Sequence, residues 1–476
     1  MLYLLLAALA AAVAVLVVRT LRFTPKPLEP VPDVPVSVDE EKIVRDMQDM
    51  IRCKTVSSRD ESQMDFAEFK KFQSLLAERF PLVHAHAALE RVGKTGLLYT
   101  LKGASSLEPS VLMAHYDVVP ADEESWQKPP FDAVLEDGVL WGRGTLDTKG
   151  TLLGVFEALE SLLESGYTPK NDLYLSFSGE EEVDGASCRA IVALLKERGI
   201  VPAMVLDEGG AVVNNVFPGV TRECALIGVA EKGSLNLRIT KATAGGHAST
   251  PPRKTALGQL ARALVAIEKH PFPSRLSVPV AKMFDTLGRH STFLYRMIFA
   301  NLRVFAPVLD VYCRLTGGEM NAMMRTTVAP TRFEGSKAYN VLPPNASFGV
   351  NMRLMCGETP QSAEAYIRRT VQKLGVEVEA VSGMAPSIVS DTDCAGYEKL
   401  TCAIRQTWPE AIVSPYLMMA CSDSRHYCAI SDKVYRFSAM RLSKEERGLI
   451  HGNDERVPVT TLLTTVQFYV RLLKLL

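Results

Sequence analysis

The chain is expected to fold as an α/β protein, a three-layer domain with a largely parallel mixed sheet interrupted by a smaller α+β unit. Three observations predict this. The 476 residues exceed what one hydrophobic core ordinarily serves. From about residue 96, short apolar runs alternate with segments of helical period, the pattern of strands crossing over through helices into a parallel sheet. Near residue 232 the pattern changes to strict apolar–polar alternation, as in half-exposed antiparallel strands, and the first pattern resumes near residue 385.

Taken in order, the first segment, "LYLLLAALAAAVAVLVV", is uncharged and would span about 26 Å as a helix, just short of a ~30 Å hydrocarbon core. No basic residue precedes it, which favours a retained single-span anchor (1–20) over a cleaved signal. Arg19, Arg22 and Lys26 follow it, so the positive-inside rule favours a cytoplasmic body. The stretch 21–38, rich in proline, is expected as a stiff spacer. Segments 39–231 and 385–476 then form the larger domain and 232–384 the inserted one. In the first part, "DEEKIVRDMQDMIRCK" and "DESQMDFAEFKKFQSLLAERF" carry helical period, "GLLYTLKG" and "SVLMAHYD" are strand-like, and Leu152, Leu153, Phe156, Leu159, Leu162 and Leu163 make one helical stripe. "NDLYLSFSG", "ASCRAIVALLKERG" and "AMVLD" continue as strand, helix, strand. In the insert, "GSLNLRITKATAGG" and "ASFGVNMRLMC" alternate, with amphipathic helices "TALGQLARALVAIEK" and "SAEAYIRRTVQKLG" nearby. The apolar stretch "FLYRMIFANLRVFAPVLDVYCRL" is broken by Arg296, Arg303, Pro307 and Asp310, which argues against a second membrane span.

Charge balance narrows the partner. Lys plus Arg number 53 and Asp plus Glu 54, so no net field recruits nucleic acid, and a small molecule is the expected ligand. The nine cysteines lack C-x-x-C spacing, which fits reduced thiols and excludes a cysteine-based zinc ribbon. Any metal must be held by His, Asp and Glu.

Those residue types gather at the carboxyl ends of the apolar runs, where open α/β sheets bind ligands. "VLMAHYD" ends in His115 and Asp117, "LYLSFSGEEE" in Glu180, Glu181 and Glu182, and "AMVLDE" in Asp207 and Glu208. Clustered carboxylates at one edge repel unless a cation sits among them. Nitrogen and oxygen donors without thiolates suit zinc, with cobalt or manganese as substitutes. A bridging carboxylate for two metals would come from Asp147 in the glycine-flanked loop "WGRGTLDTKG", which lacks the G-K-[ST] ending of a phosphate loop. His451 and His247 lie in further His-bearing stretches, whereas His84, His86, His270 and His290 are expected to be structural.

Taken together, "HYDVVP", "GRGTLDTKG", "GEEEVDG", "GGHAS", "CSDSRHY" and "IHGNDERV" resemble the co-catalytic zinc peptidase family of aminoacylase, carboxypeptidase G, carnosinase and succinyl-diaminopimelate desuccinylase. "LDEGG", "SDSRHY" and the long insert look most like its Gly-X carboxypeptidase (carboxypeptidase S) and N-acyl-amino-acid hydrolase branch. The resemblance implies two zinc ions held by His115, Asp147, Glu182, Asp207 and His451, with Asp147 bridging and Glu208 the neighbouring alternative to Asp207. It further implies that Asp117 orients His115, that Glu181 is the general base, and that His247 reaches in from the smaller domain, often from a second subunit, to bind the oxyanion. Arg353 and Asn340 would bind the substrate. Glu180 stands where relatives often carry Asp. The larger domain is thereby expected to be catalytic and the smaller one a lid and dimerisation domain, giving a homodimer. The implied reaction is hydrolysis of the amide joining a peptidyl or acyl group to a C-terminal amino acid. A dipeptidase or aminopeptidase of the same family, and a metal-free binding protein, are the alternatives.

Overall fold

The computed structural model describes residues 1–183 and 185–476. Its main sheet has ten strands. The strand Ser105–His115 runs parallel to Asn171–Ser178 on one side and to Met204–Asp207 on the other. Val434–Arg436 continues the parallel set beyond Met204–Asp207; the edge through Gly96–Leu101 and Ala88–Val92 is antiparallel, and the other edge mixes antiparallel and parallel pairs. "VLMAH" is apolar throughout because it is covered on both faces: Leu112 and Ala114 face one core, while Val111 and Met113 face the other. These two cores are the interfaces of the three layers. On the first, the helix Lys149–Glu164 is sandwiched between the sheet and the C-terminal helix Val459–Leu475. The helices approach closely at Gly154, where a Cβ would come within 2.7 Å of Thr465 Cγ2. On the second, Ala186–Glu197 covers the sheet.

The second sheet is antiparallel, with the order Thr327–Glu334, Asn345–Leu354, Gly233–Ala242, Glu377–Met384. Its alternation sorts the faces: Leu235, Leu237, Ile239, Phe348, Val350 and Met352 form a separate core under the helices Ala256–Lys269 and Pro360–Val371.

Two features depart from the sequence expectation. The segment 232–384, expected as one inserted unit, splits. The helices Val278–His290, Phe293–Ala300, Leu302–Thr316 and Gly318–Met324 send Val280, Met283, Phe284, Leu287, Phe299 and Met323 into the core of the main sheet. There Phe217, Phe284 and Phe299 pack edge-on or tilted, with ring centroids 4.6 to 5.7 Å apart. The proline-rich stretch, expected as a stiff spacer, is strapped along the main domain. Arg405 Nη2 donates to Glu29 O at 2.6 Å and Arg471 Nε to Val34 O at 3.0 Å. An extended segment pairs few of its own carbonyls, which leaves them open to such donors. Before it, Leu2–Arg22 is one helix long and apolar enough to cross a membrane, a property shared by anchors and signal sequences. His84 and His86, expected to be structural, lie in the short helix Pro81–His86, where His84 bonds Phe80 O and Tyr99 Oη.

Candidate metal centre

Five segments deliver the donor groups. His115 ends its strand, Glu181 and Glu182 follow Asn171–Ser178, and Glu208 follows Met204–Asp207. Asp147 precedes the helix Lys149–Glu164, and His451 stands on a loop at φ 61° after Lys444–Leu449. The Asp147–Thr148 peptide is cis.

The ring of His115 is fixed from both sides. Nδ1 donates to Asp117 O at 3.0 Å and lies 3.3 Å from Asp117 Oδ1. A carbonyl can only accept, so in neutral imidazole the proton belongs on Nδ1 and the lone pair of Nε2 faces Asp147 Oδ1, 2.9 Å away. Two acceptors held face to face need a proton or a cation between them. The same holds at His451, whose Nε2 is 3.0 Å from both Asp147 Oδ2 and Glu182 Oε2. On the far side of His115, Glu208 Oε1 is 4.0 Å from Nε2. Ligands about 2.0 to 2.1 Å from a tetrahedral zinc stand about 3.3 Å apart, so these separations match a cation's shell. Two groups of potential ligand atoms share His115: one with Asp147 and Glu182, the other with Glu181 and Glu208, all within 4.8 Å in each group. The donors therefore fit a divalent metal, and Asp147 turns one oxygen toward each histidine.

Proton affinities report the same frustration. Burial pushes the Glu181 carboxyl well above its usual range, and Glu208, Asp423 and Glu182 push it further while His115 opposes. Glu208 is raised by burial and then by Asp147. Hydrogen bonds that the ring donates to Asp147 and Glu182 lift His451 to about 10. Burial would raise Asp147, yet the bonds from His115 and His451 outweigh it and hold that group low. A dication among these groups would supply the balancing charge that two protonated imidazoles supply without it.

The supporting shell ties the segments together. Buried Asp117 accepts from the backbone N–H of Glu181 and of Glu182, each at 3.2 Å, besides orienting His115. Glu455 Oε1 accepts from Gly144 N at 3.1 Å and Leu146 N at 2.8 Å, and its other oxygen takes Arg143 Nη1 at 2.6 Å. Arg143 also donates to Gly452 O at 2.8 Å, so one buried ion pair clasps the Asp147 loop to the His451 loop. Glu180 turns away and bonds Ser187 N and Oγ at the start of the next helix.

The structure separates the neighbours Asp207 and Glu208. Asp207 Oδ2 accepts from Ser424 N at 2.9 Å and is absent from both candidate ligand groups, whereas Glu208 belongs to one. The remaining expected residues lie on the second domain. His247 is exposed, its Nδ1 2.7 Å from Ser249 Oγ, on a two-stranded ribbon with Val341. Asn340, also exposed, is tied to that ribbon through Ala248 N to Asn340 O at 3.0 Å. Arg353 is half-buried, with Nη1 3.7 Å from Cys421 Sγ of the main domain. None of the three contacts the donor cluster. Sequence reasoning passed over Glu455, Arg143 and Asp423, although each lies in or beside a motif it quoted. The signal for the first two was a buried-type Arg and Glu in two loops already linked by their candidate ligands.

Comparison with known proteins gives this geometry relatives. A family model described as peptidase family M20/M25/M40 matches residues 111–475. The chain is similar to the N-fatty-acyl-amino acid synthase/hydrolase PM20D1.1 of Danio rerio, 36% identical over 443 residues that cover 91% of this chain and 85% of the relative. It is also similar to a probable carboxypeptidase S-like 2 of Dictyostelium discoideum, 32% identical over 475 residues, 96% of this chain and 91% of that one. Among solved structures, an M20 family metallo-carboxypeptidase from Sulfolobus solfataricus superposes with a TM-score of 0.66 at 17% identity, over 90% of this chain and 98% of its own.

Proposed function

This chain belongs to peptidase family M20/M25/M40, and from that premise we propose that it is a metallohydrolase cleaving the amide between an acyl or peptidyl group and a C-terminal amino acid. The observation that carries this is the meeting of two imidazoles and four carboxylates from separate segments at one sheet edge, with lone pairs facing each other across cation-sized gaps. The hydrolase reading draws on the printed names of both relatives, a fatty-acyl-amino acid hydrolase and a carboxypeptidase S-like protein.

The residues proposed to hold two zinc ions are His115, Asp147 as the bridge, Glu182, His451 and, in place of Asp207, Glu208. Bound there, such ions would acidify a water and polarise the scissile carbonyl. Glu181 takes the proton of that water and returns it to the leaving nitrogen. Its buried, carboxylate-crowded setting, which raises its proton affinity, suits both halves of that task. Asp117 keeps the His115 tautomer and positions Glu181 through the backbone. Arg353 grips the terminal carboxylate of the substrate. His247 and Asn340, exposed on their ribbon, are offered to the site of a second copy, which makes a homodimer the working unit. The apolar helix Leu2–Arg22 is read as a membrane anchor with the body on the cytoplasmic side.

The test is hydrolysis of N-acyl amino acids and Gly-X dipeptides before and after chelation. Activity lost with the metal and restored by zinc, abolished by amidating the substrate's C-terminus and kept on acylating its N-terminus, is the expected result. Turnover that needs a free N-terminus instead would establish an aminopeptidase.

A further inference from the structure

We propose that two adjoining apolar cavities, between the segment Gly209–Pro218 and the helices within Val278–Met324, receive the alkyl tail of a long-chain N-acyl amino acid. This rests on the amide-hydrolase reading above and adds the place where the acyl group lies. An inner cavity of about 90 Å³ is lined by Gly209, Val213, Leu226, Met283, Met323 and Met419. Gly209 directly follows Glu208 of the metal cluster, so one end of this cavity reaches the backbone next to that donor. An outer cavity of about 450 Å³ is lined by Phe299, Phe305, Val308, Leu309, Tyr312 and Met320. Met320 and Met323 are one turn apart on the helix Gly318–Met324, and Glu319 lines both cavities. The two cavities therefore adjoin at Glu319, with the inner one on the side of Gly209.

The wall of the outer cavity, at Val308 and Tyr312, belongs to a longer exposed apolar stripe. On Leu302–Thr316, Val304, Val308, Val311, Tyr312 and Leu315 form a single helical stripe, and each is more than half exposed. An amphipathic helix normally turns such a stripe inward, and a contiguous exposed one marks a binding surface. The adjoining helix Phe293–Ala300 lies against the apolar helix Leu2–Arg22, where Asn301 Nδ2 donates to Leu16 O at 3.2 Å. An apolar phase that takes up Leu2–Arg22 would thus also touch the mouth of the outer cavity. The methionines Met283, Met320, Met323 and Met419 give the path flexible walls, suited to an alkyl chain of varying length. Glu319, which lines both cavities, is largely exposed and lies 3.9 Å from Arg447, so its side chain can turn into water as a tail passes.

The experiment uses the full-length, zinc-loaded chain with N-acetyl, N-octanoyl and N-oleoyl forms of one amino acid. The proposal expects kcat/KM to rise with tail length, by up to about fourfold per methylene while each remains buried. Val308→Trp, which fills the outer cavity from an exposed position, should cut kcat/KM for the oleoyl substrate by about tenfold or more and leave the acetyl substrate within about twofold. Val304→Trp, on the same stripe but outside the cavity lining, should change neither. A flat length profile, or a Val308→Trp loss that is equal at all lengths, would overturn the proposal. So would a Val308→Trp effect confined to vesicle retention or oligomeric mass, which would assign the surface to bilayer lipid or to a second copy. Displacement of a fluorescent fatty acid from wild type, weakened in Val308→Trp, reads the tail site without turnover. If no substrate of any length is cleaved, the hydrolase reading falls while this binding arm still decides the tail site.

Discussion

At the residue scale, the account assigns proton transfer to Glu181 and metal retention to its neighbours, and the two roles separate by mutation. Glu181→Gln is expected to keep the metal content of wild type while kcat falls about 10²- to 10⁴-fold, the ordinary worth of a general base. Metal analysis beside steady-state kinetics checks this, and an unchanged kcat would refute the role. Glu208→Gln should lower bound metal, whereas Asp207→Asn should keep the metal and cost about 1–3 kcal/mol of stability through the weakened bonds to the Ser424 loop. The sequence placed both side chains at the strand end and could not choose between them. Successive residues leaving a strand point to opposite sides, so one step in register decides which faces the cation. His115 was readable because an apolar run that stops on histidine and carboxylate has no packing reason to do so. Asp147 was readable from its glycine-flanked loop, while the lone pairs that make the cluster need a cation became visible only with coordinates.

At the element scale, the strands and helices were legible because their periods are clean, as in "VLMAH" and the Leu152–Leu163 stripe. The helices from Val278 to Met324 were not, since their apolar residues serve the other domain's core, and a local pattern carries no address for its partner. Two elements make separate predictions. Glu455 clasps the loops of Asp147 and His451, so Glu455→Ala strands the buried Arg143 and should cost about 3–5 kcal/mol, measured by denaturant unfolding. Lys232 joins the strand Cys224–Glu231 to Gly233–Ala242 at the passage between domains, with its ammonium buried and donating to Ala322 O and Arg325 O. Burial, aided by the nearby Arg353 charge, lowers it to about 7 from 10.5. A folded value below the unfolded one means the folded state binds fewer protons between these limits. Lys232 therefore adds stability that is present above about pH 10.5 and is lost as pH falls through about 7. Unfolding curves across that window should show this rise with pH in wild type, and Lys232→Met should flatten it.

At the scale of the whole molecule, the catalytic cluster and the residues His247 and Asn340 stand on different domains of one chain, apart from each other. A dimer that shares them makes a sharp prediction. Glu181→Gln and His247→Ala are each expected to be inactive, yet mixing and reassociating them should restore about a quarter of wild-type activity, since half the dimers are mixed and each carries one complete site. No recovery would place His247 in its own chain's site. The strapped proline segment and the helical unit beside Leu2–Arg22 further tie the body closely to that helix, which a composition-based reading as a stiff spacer did not foresee. All of these roles presuppose cations at the sheet edge. The most direct measurement is therefore anomalous diffraction at the zinc edge from crystals of the zinc-loaded chain. Two peaks about 3.5–4 Å apart, with Asp147 between them and His115, Glu182, Glu208 and His451 around them, are predicted; a map without peaks there, or with peaks elsewhere, would contradict the account.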